Sequence, residues 1–455
     1  MTPAQGGVPD PDRNALGVDG LTARSTFGAI QVRIAGLCAL VALLDGFDLQ
    51  VMGLVAPAIA GTLHLGAPAI ASVLGAGPFG MLLGAIGLGM LADRIGRKRV
   101  LIASTLVFGA FTFATGFARS LHAIVLLRLL TGLGLGGAAP SFISLCSECS
   151  PTAWRSAVLG VMWAGFPLGG VAGGFLASTV IEGPGWRWMF YVGGAAPLAL
   201  APLLMGWLPE SPPYLVAAKA GARRMSGAVS LLDRDAVDVP GIGLVADEEL
   251  IGRSDVRVLF RSRRACGTVL LWIGYFMTFL ILVANVTWAP TLLHDAAGSV
   301  RDAALALAAF NFGSVGGTSL AGFFLRSFDR RRVLPATFIG AAFAFGAVGY
   351  VAPAAVAVAI FESLGGFFLG VGSSGLIALA AAFYPTMVRS TGVGWAMGFG
   401  RFGSFAGPLV LGGLVGLGWS VHATFLALAV SALCAAMSAL AMGRAGAAAD
   451  GPFVG

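Results

Sequence analysis

GMLADRIGRKRVL at 89–101 returns, altered, as GFFLRSFDRRRVL at 322–334, a spacing of 233 residues. PTAWRS at 151–156 returns as PTMVRS at 385–390, a spacing of 234. Two different motifs repeated at nearly one offset indicate duplicated halves. In the first copy of each motif, and again in the second, a short basic turn separates two apolar runs. A membrane-crossing helix needs about 20 apolar residues, and that ruler lays out the runs on either side of the turns. Six fall at about 34–58, 69–92, 99–118, 121–146, 155–180 and 187–208, and six more at about 266–292, 303–325, 333–352, 354–383, 390–416 and 419–442. The expected organisation is a tail at 1–33, a six-helix bundle at 34–208, a polar loop at 209–265, a second six-helix bundle at 266–443 and a tail at 444–455.

Composition demands the same solvent. Of 455 residues, 57% are hydrophobic and only 11% charged, against the roughly 25% charge that a water-soluble surface needs. The excess of apolar exterior must face lipid. Soluble enzymes, nucleic-acid binders, disordered chains and disulfide scaffolds are excluded together. The first 30 residues hold Pro and Asp and no continuous apolar run, so no cleaved signal peptide is expected. Cys38, Cys146, Cys149, Cys266 and Cys434 are an odd number, mostly inside apolar runs, and read as packing residues. Cys146 and Cys149 are spaced CxxC, yet no second pair or nearby His completes a metal set. No metal and no cofactor is expected.

The net charge of +7 is mostly topology. With both termini and the central loop on one side, that side collects 23 of the 28 basic residues, while the opposite loops hold Arg119, Arg187 and Arg301. The positive-inside rule then makes the termini cytoplasmic. Arg128 and Arg401 remain inside spans.

The motifs now carry a resemblance. GMLADRIGRKRVL is similar to the signature between the second and third helices of the major facilitator superfamily, and RLLTGLGLGG at 128–137 resembles its fourth-helix motif RxxxGxGxG. Within that superfamily the chain resembles the aromatic acid:proton symporters over nearly its whole length. The stretches are LDGFDLQVMGLVAPAIA at 44–60, SLCSECSPTAWRS at 144–156, VTWAPTLL at 286–293 and, most strongly, YPTMVRSTGVGWAMGFGRFGSFAGP at 384–408. LPESPPYL at 208–215 is shared more widely, including by sugar porters. The resemblance implies an all-α membrane protein of twelve helices in two pseudo-symmetric bundles. Substrate would sit near the midplane between the halves, and rocking would expose it to each side in turn. The second-half turn departs from the signature, with Arg326 where the first half has Asp93 and Ser327 where it has Arg94. Cys149 stands where an aromatic residue is expected, and GFPLGG at 165–170 replaces the GPxxGG of proton antiporters, which disfavours export.

Asp45 and Asp48 fall three residues apart near the middle of the first span and so share a helix face. A charge at that depth costs about 2.5–3.5 kcal/mol on insertion scales, which calls for a position facing the bundle or water. Neighbouring carboxylates repel and favour taking up a proton, the requirement for proton coupling; the plainer alternative is one Asp pinning a helix and the other paired to an Arg. Arg401, midway along the eleventh span, cannot neutralise itself and needs an anion. Either a first-span Asp or a substrate carboxylate, gripped by both arms of the guanidinium, would serve. Arg128 and Glu148 are assigned to the proton-coupling network by the fourth-span resemblance, with Glu148 expected to pair with Arg155 or Arg389 in an inner gate. Gly89, Asp93, Arg94, Gly96 and Arg97 read as conformational machinery held by salt bridges. Trp288, Asn311, Phe312, Trp395 and Phe399 come from spans that surround the central cavity in such a fold, where rings would stack on an aromatic ligand and Asn311 would bond a ring hydroxyl. Glu362 receives no role.

The expected function is proton-coupled uptake of a small aromatic carboxylate by a monomer in the bacterial inner membrane. Its partners are that acid, protons and the lipid bilayer, with no nucleic acid. The alternatives are a proton symporter of a non-aromatic organic acid or sugar, and a transporter-like sensor of aromatic acids. No nucleophile–base pair or phosphate loop suggests an enzyme.

Overall fold

The structure, a computed structural model, describes residues 28–151, 154–181, 183–217, 259–260, 264–297, 299–352, 354–384 and 389–449. The N-terminal tail to residue 27, most of the central loop and parts of both PTxxRS motifs lie outside that set. Twelve long helices form two sets of six. The first set is α1 (Ala29–Leu63), α2 (Ala67–Ile95), α3 (Arg97–Thr115), α4 (Leu121–Glu148), α5 (Arg155–Val180) and α6 (Arg187–Trp207). A short α7 (Pro212–Ala217) follows. The second set is α8 (Arg264–Ala297), α9 (Val300–Ser327), α10 (Arg330–Val351), α11 (Ala355–Phe383), α12 (Arg389–Gly416) and α13 (Val421–Ala449).

Every expected span is a helix. Several run past the apolar ruler, α1 to 35 residues and α8 to 34, because a helix continues beyond the hydrocarbon wherever its backbone can hydrogen-bond itself. Ser120, Ser299 and Asp329 begin α4, α9 and α10 with side chains that accept from backbone N–H groups of the first turn, satisfying donors the helix cannot. Eleven of the twelve are, among the described residues, apolar enough to cross a membrane on their own; α12 is the exception.

The duplication is visible as geometry. α1 packs on α5 and α2 on α4; in the second half α8 packs on α12 and α9 on α11. The glycines of RLLTGLGLGG explain one such contact. A Cβ at Gly132 would strike the backbone of Gly77, and one at Gly136 the backbone of Met81, so α2 and α4 approach at main-chain distance because these positions lack side chains.

The two halves meet in the part of the bundle remote from the termini. There α1 meets α8, α2 meets α12 and α5 meets α9. Thr291 donates to the Gly53 carbonyl (3.3 Å) and Asn311 to the Gln50 side chain (2.7 Å). The rings of Phe79 and Phe405 lie 4.8 Å apart, and Gly412 leaves room for Ala71 and Trp288. The chain is closed on that far side.

Candidate functional site

The two first-span carboxylates have different surroundings. Asp48 is buried and fully engaged: the Arg128 guanidinium grips it with Nη1 on Oδ1 (2.9 Å) and Nη2 on Oδ2 (2.5 Å). Thr112 on α3 donates to the same Oδ1 (2.7 Å). This is the two-armed geometry that makes an Arg–carboxylate bond strong, and the ring of Phe190 lies 6.0 Å from the guanidinium carbon. Arg128 is 1% exposed, so it does not snorkel outward.

Asp45, one helical turn earlier, is equally buried, and its Oδ1 has no hydrogen-bond donor. Two charges bear on it, Arg401 from α12 in the opposite half and the neighbouring Asp48. Arg401 itself is half-buried, and beside it on the same face of α12 Gly394 and Gly398 have open space in front of them. Asp45 and Arg401, from opposite halves, thus lie within electrostatic reach of each other without forming an ion pair. A guanidinium can take a planar carboxylate on two arms, and a buried carboxylate oxygen without a donor can take a proton.

The aromatic candidates fall elsewhere. At 100° per residue, Trp395 and Phe399 project about 120° and 160° round the helix from Arg401. They stack on Trp272 of α8 with centroids at 6.2 and 5.0 Å, a residue the sequence reading did not single out. Trp288 is 1% exposed and donates from Nε1 to the Pro408 carbonyl (2.9 Å) within the second half, and its ring lies beside Gly412, where α12 meets Ala71 of the first half. Asn311 is committed to Gln50 and to the Leu307 carbonyl (2.8 Å). The bond to Gln50 ties the halves together, and both bonds use Nδ2. Phe312 is exposed, about 100° round α9 from Asn311.

The conformational motif forms a second, separate cluster on the side of the termini. Gly96 joins α2 to α3 at φ 109°, a left-handed backbone that glycine adopts without strain. Its missing Cβ makes room for the Glu210 carboxylate, which accepts from the Lys98 backbone (2.9 Å). Lys98 also donates from Nζ to the Met205 carbonyl (2.8 Å). Arg97 meets Glu148 at 3.5 Å and lies 6.0 Å from the Tyr214 ring centre, while Ser211 donates to Glu148. Glu148 is expected from the sequence to pair with Arg155 or Arg389, and the described ion pair is instead with Arg97. α4 ends with Glu148 turned toward the 96–98 turn, and Arg155, half-buried at the start of α5, makes no ion pair with it. The side chains of Asp93 and Arg389 lie outside the described residues. Arg94 is exposed, with its carbonyl 3.5 Å from the Tyr214 hydroxyl, and Gly89 packs against Pro140 of α4. LPESPPYL, set aside in the sequence as widely shared, supplies Glu210, Ser211 and Tyr214 to this cluster. A carboxylate placed just past the sixth span, against a basic turn, was the available signal.

Comparison with known proteins agrees with this architecture. The family model of the Major Facilitator Superfamily matches residues 38–361 and 271–449. The 4-hydroxybenzoate transporter PcaK of Pseudomonas putida is 35% identical over 94% of this chain and 96% of its own. The gallate transporter of the same species is 36% identical over 92% and 93%, and the 3-(3-hydroxy-phenyl)propionate transporter of Escherichia coli 34% over 89% and 92%. Among solved structures, the inward-open xylose transporter XylE from E. coli superposes with a TM-score of 0.69 at 17% identity, covering 91% of this chain and 96% of its own. A bacterial homologue of the lysosomal transporter Spinster, inward-facing and unoccupied, also gives 0.69 at 18%, over 92% and 98%. The chain belongs to the major facilitator superfamily: it is a multi-pass membrane transporter, not an enzyme, and its curated relatives are transporters of aromatic acids.

Proposed function

We propose that this chain takes up a small aromatic carboxylate, such as a hydroxybenzoate, together with protons by alternating access. The observation that carries the reading is the inequality of the two carboxylates: Asp48 is neutralised by Arg128, while Asp45 has an oxygen without a donor and lies within electrostatic reach of Arg401. A substrate carboxylate binds the Arg401 fork, and the proton travels on Asp45. Relatives named for 4-hydroxybenzoate, gallate and a hydroxyphenylpropionate support the ring and the acid.

The energetics favour the pairing. Moving a monoanion inward against 100 mV costs about 2.3 kcal/mol, and one accompanying proton cancels that charge. The transporter would act as a monomer in a bacterial inner membrane with both termini cytoplasmic, in accord with the basic residues gathered on the side of the termini. The Gly96–Glu210 and Arg97–Glu148 cluster then lies at the cytoplasmic face, where it steadies one state and alters rate without touching substrate.

Proteoliposomes given labelled 4-hydroxybenzoate, with and without an imposed pH gradient, test the proposal. Accumulation that follows the gradient in the wild type and vanishes in Asp45→Asn is expected. Uptake indifferent to the gradient removes the coupling. Competition by sugars or aliphatic acids, but not by hydroxybenzoates, removes the substrate class.

A further inference from the structure

Among the described residues, Glu362 is the one buried carboxylate that the transport site does not use. It lies seven residues in from the start of α11, as Arg128 lies seven in from the start of α4. The two are 234 residues apart, the offset of the PTxxRS repeat. Their partners correspond as well. Arg128 reaches across to Asp48 on α1; Glu362 accepts from Nδ2 of Asn285 on α8 at 2.9 Å. In the second half the cation has become a carboxyl and the carboxylate has become an amide.

Unlike Asp48, Glu362 has no cation. The ionisable groups on the helices packed against α11 are Arg264, Cys266, Tyr275, His294 and Asp295 of α8, the last two meeting at 3.5 Å, Arg301, Asp302 and Arg326 of α9, Tyr350 and the basic start of α10, and Arg401 of α12, whose Arg389 side chain lies outside the described residues. Among the described residues none of them contacts Glu362, whose polar partner is Asn285. Both residues are 1% exposed. Two atoms of this pair remain without partners, Oε1 of Glu362 and Oδ1 of Asn285. Both are acceptors, and an ionised carboxylate leaves each of them buried without a donor. A proton on Oε1 supplies the missing donor: Oε1–H can turn to Oδ1 while Nδ2–H donates to Oε2.

We infer that Glu362 is a proton-binding site, distinct from Asp45, that closes an acid–amide ring with Asn285 and joins α8 to α11 as the Asp48–Arg128 ion pair joins α1 to α4. The proton is retained rather than delivered. It is bound and sealed in a state closed on the far side, the state in which a co-transported proton must leave toward the termini.

Infrared difference spectroscopy of the purified protein, wild type minus Glu362→Gln, tests the site without any substrate, so its failure is separate from failure of the transport reading. The expected difference is a neutral carboxylic-acid carbonyl band; ionised carboxylate bands in its place overturn the proposal. Glu362→Gln reproduces the ring as an amide pair and keeps the wild-type thermal stability. Asn285→Leu, which removes donor and acceptor together, shifts the acid band to higher frequency and lowers stability; an unshifted band overturns the ring. In proteoliposomes Glu362→Gln should keep the wild-type proton-to-substrate ratio, and a ratio lower by one proton would show a carried proton and defeat the retention.

Discussion

Replacing Asp48 by Asn would change one atom and strand a charge. The amide Nδ2 would take the place of Oδ2, 2.5 Å from Nη2 of Arg128, setting donor against donor. Thr112 and Nη1 could still reach the remaining oxygen, but the guanidinium would lose its counter-charge and cannot shed its proton. Breaking a buried pair by removing one partner costs about 3–5 kcal/mol. The Phe190 ring at 6.0 Å returns no more than about 2 kcal/mol. The mirror substitution, Arg128→Gln, leaves a carboxyl that can take up a proton and keep the Thr112 bond, and should cost only about 1–3 kcal/mol. The ordering is therefore Asp48→Asn worse than Arg128→Gln. The double variant, two neutral amides in reach of each other, should recover at least about 2 kcal/mol of the summed loss. The assay is unfolding in detergent, followed by thermal and denaturant midpoints across the four proteins of the cycle. Asp48→Asn no less stable than Arg128→Gln, or a double variant whose loss is the sum of the singles, would refute the account of Asp48 as the neutralised member.

Three further outcomes follow from the geometry. Arg401→Lys keeps the charge and loses the two-armed grip, so KM for the acid should rise about tenfold or more, near 1.4 kcal/mol, with Vmax little changed; equal KM would exclude a carboxylate in that fork. Gly412→Leu would drive a side chain into Ala71 and the Trp288 ring, preventing closure on the far side; uptake should fall at least about tenfold while binding to detergent-solubilised protein persists, and unimpaired uptake would contradict the closed contact described. Gly96→Ala forces φ 109° on a residue with a Cβ, against the Glu210 carboxylate. A cost of about 1–3 kcal/mol should appear as a slower transport rate at unchanged KM, and a changed KM would mean the turn touches the substrate path.

The helix count, the duplication and the four central charges were all legible in the sequence, because burying an ion in lipid is expensive enough to leave few of them, each with a reason. What the chain could not disclose was rotation. Asp45 and Asp48 share a face, yet the roughly 60° between them aims one at Arg128 and the other toward Arg401. Only the packing of α1 against its neighbours decides which. Nor could the chain disclose that Trp395 and Phe399, chosen for the span they lie on, stack on Trp272. Thr112 and Asn285, uncharged and set in apolar runs, gave no signal. Their importance comes wholly from what lies opposite.

Among the described residues, the one long helix not apolar enough to count as a membrane span by itself is α12, whose 28 residues are rich in glycine and carry Arg401 at the centre. An arginine at mid-helix raises the cost of insertion by about 2.5–3.5 kcal/mol, and glycine does little to offset it. During synthesis such a segment enters the bilayer only in company. α8 is the natural escort: it is made earlier, is strongly apolar and packs along α12. The arginine proposed to hold an anion thus also sets an order of assembly, in which the second bundle must begin to form before α12 can stay in the membrane.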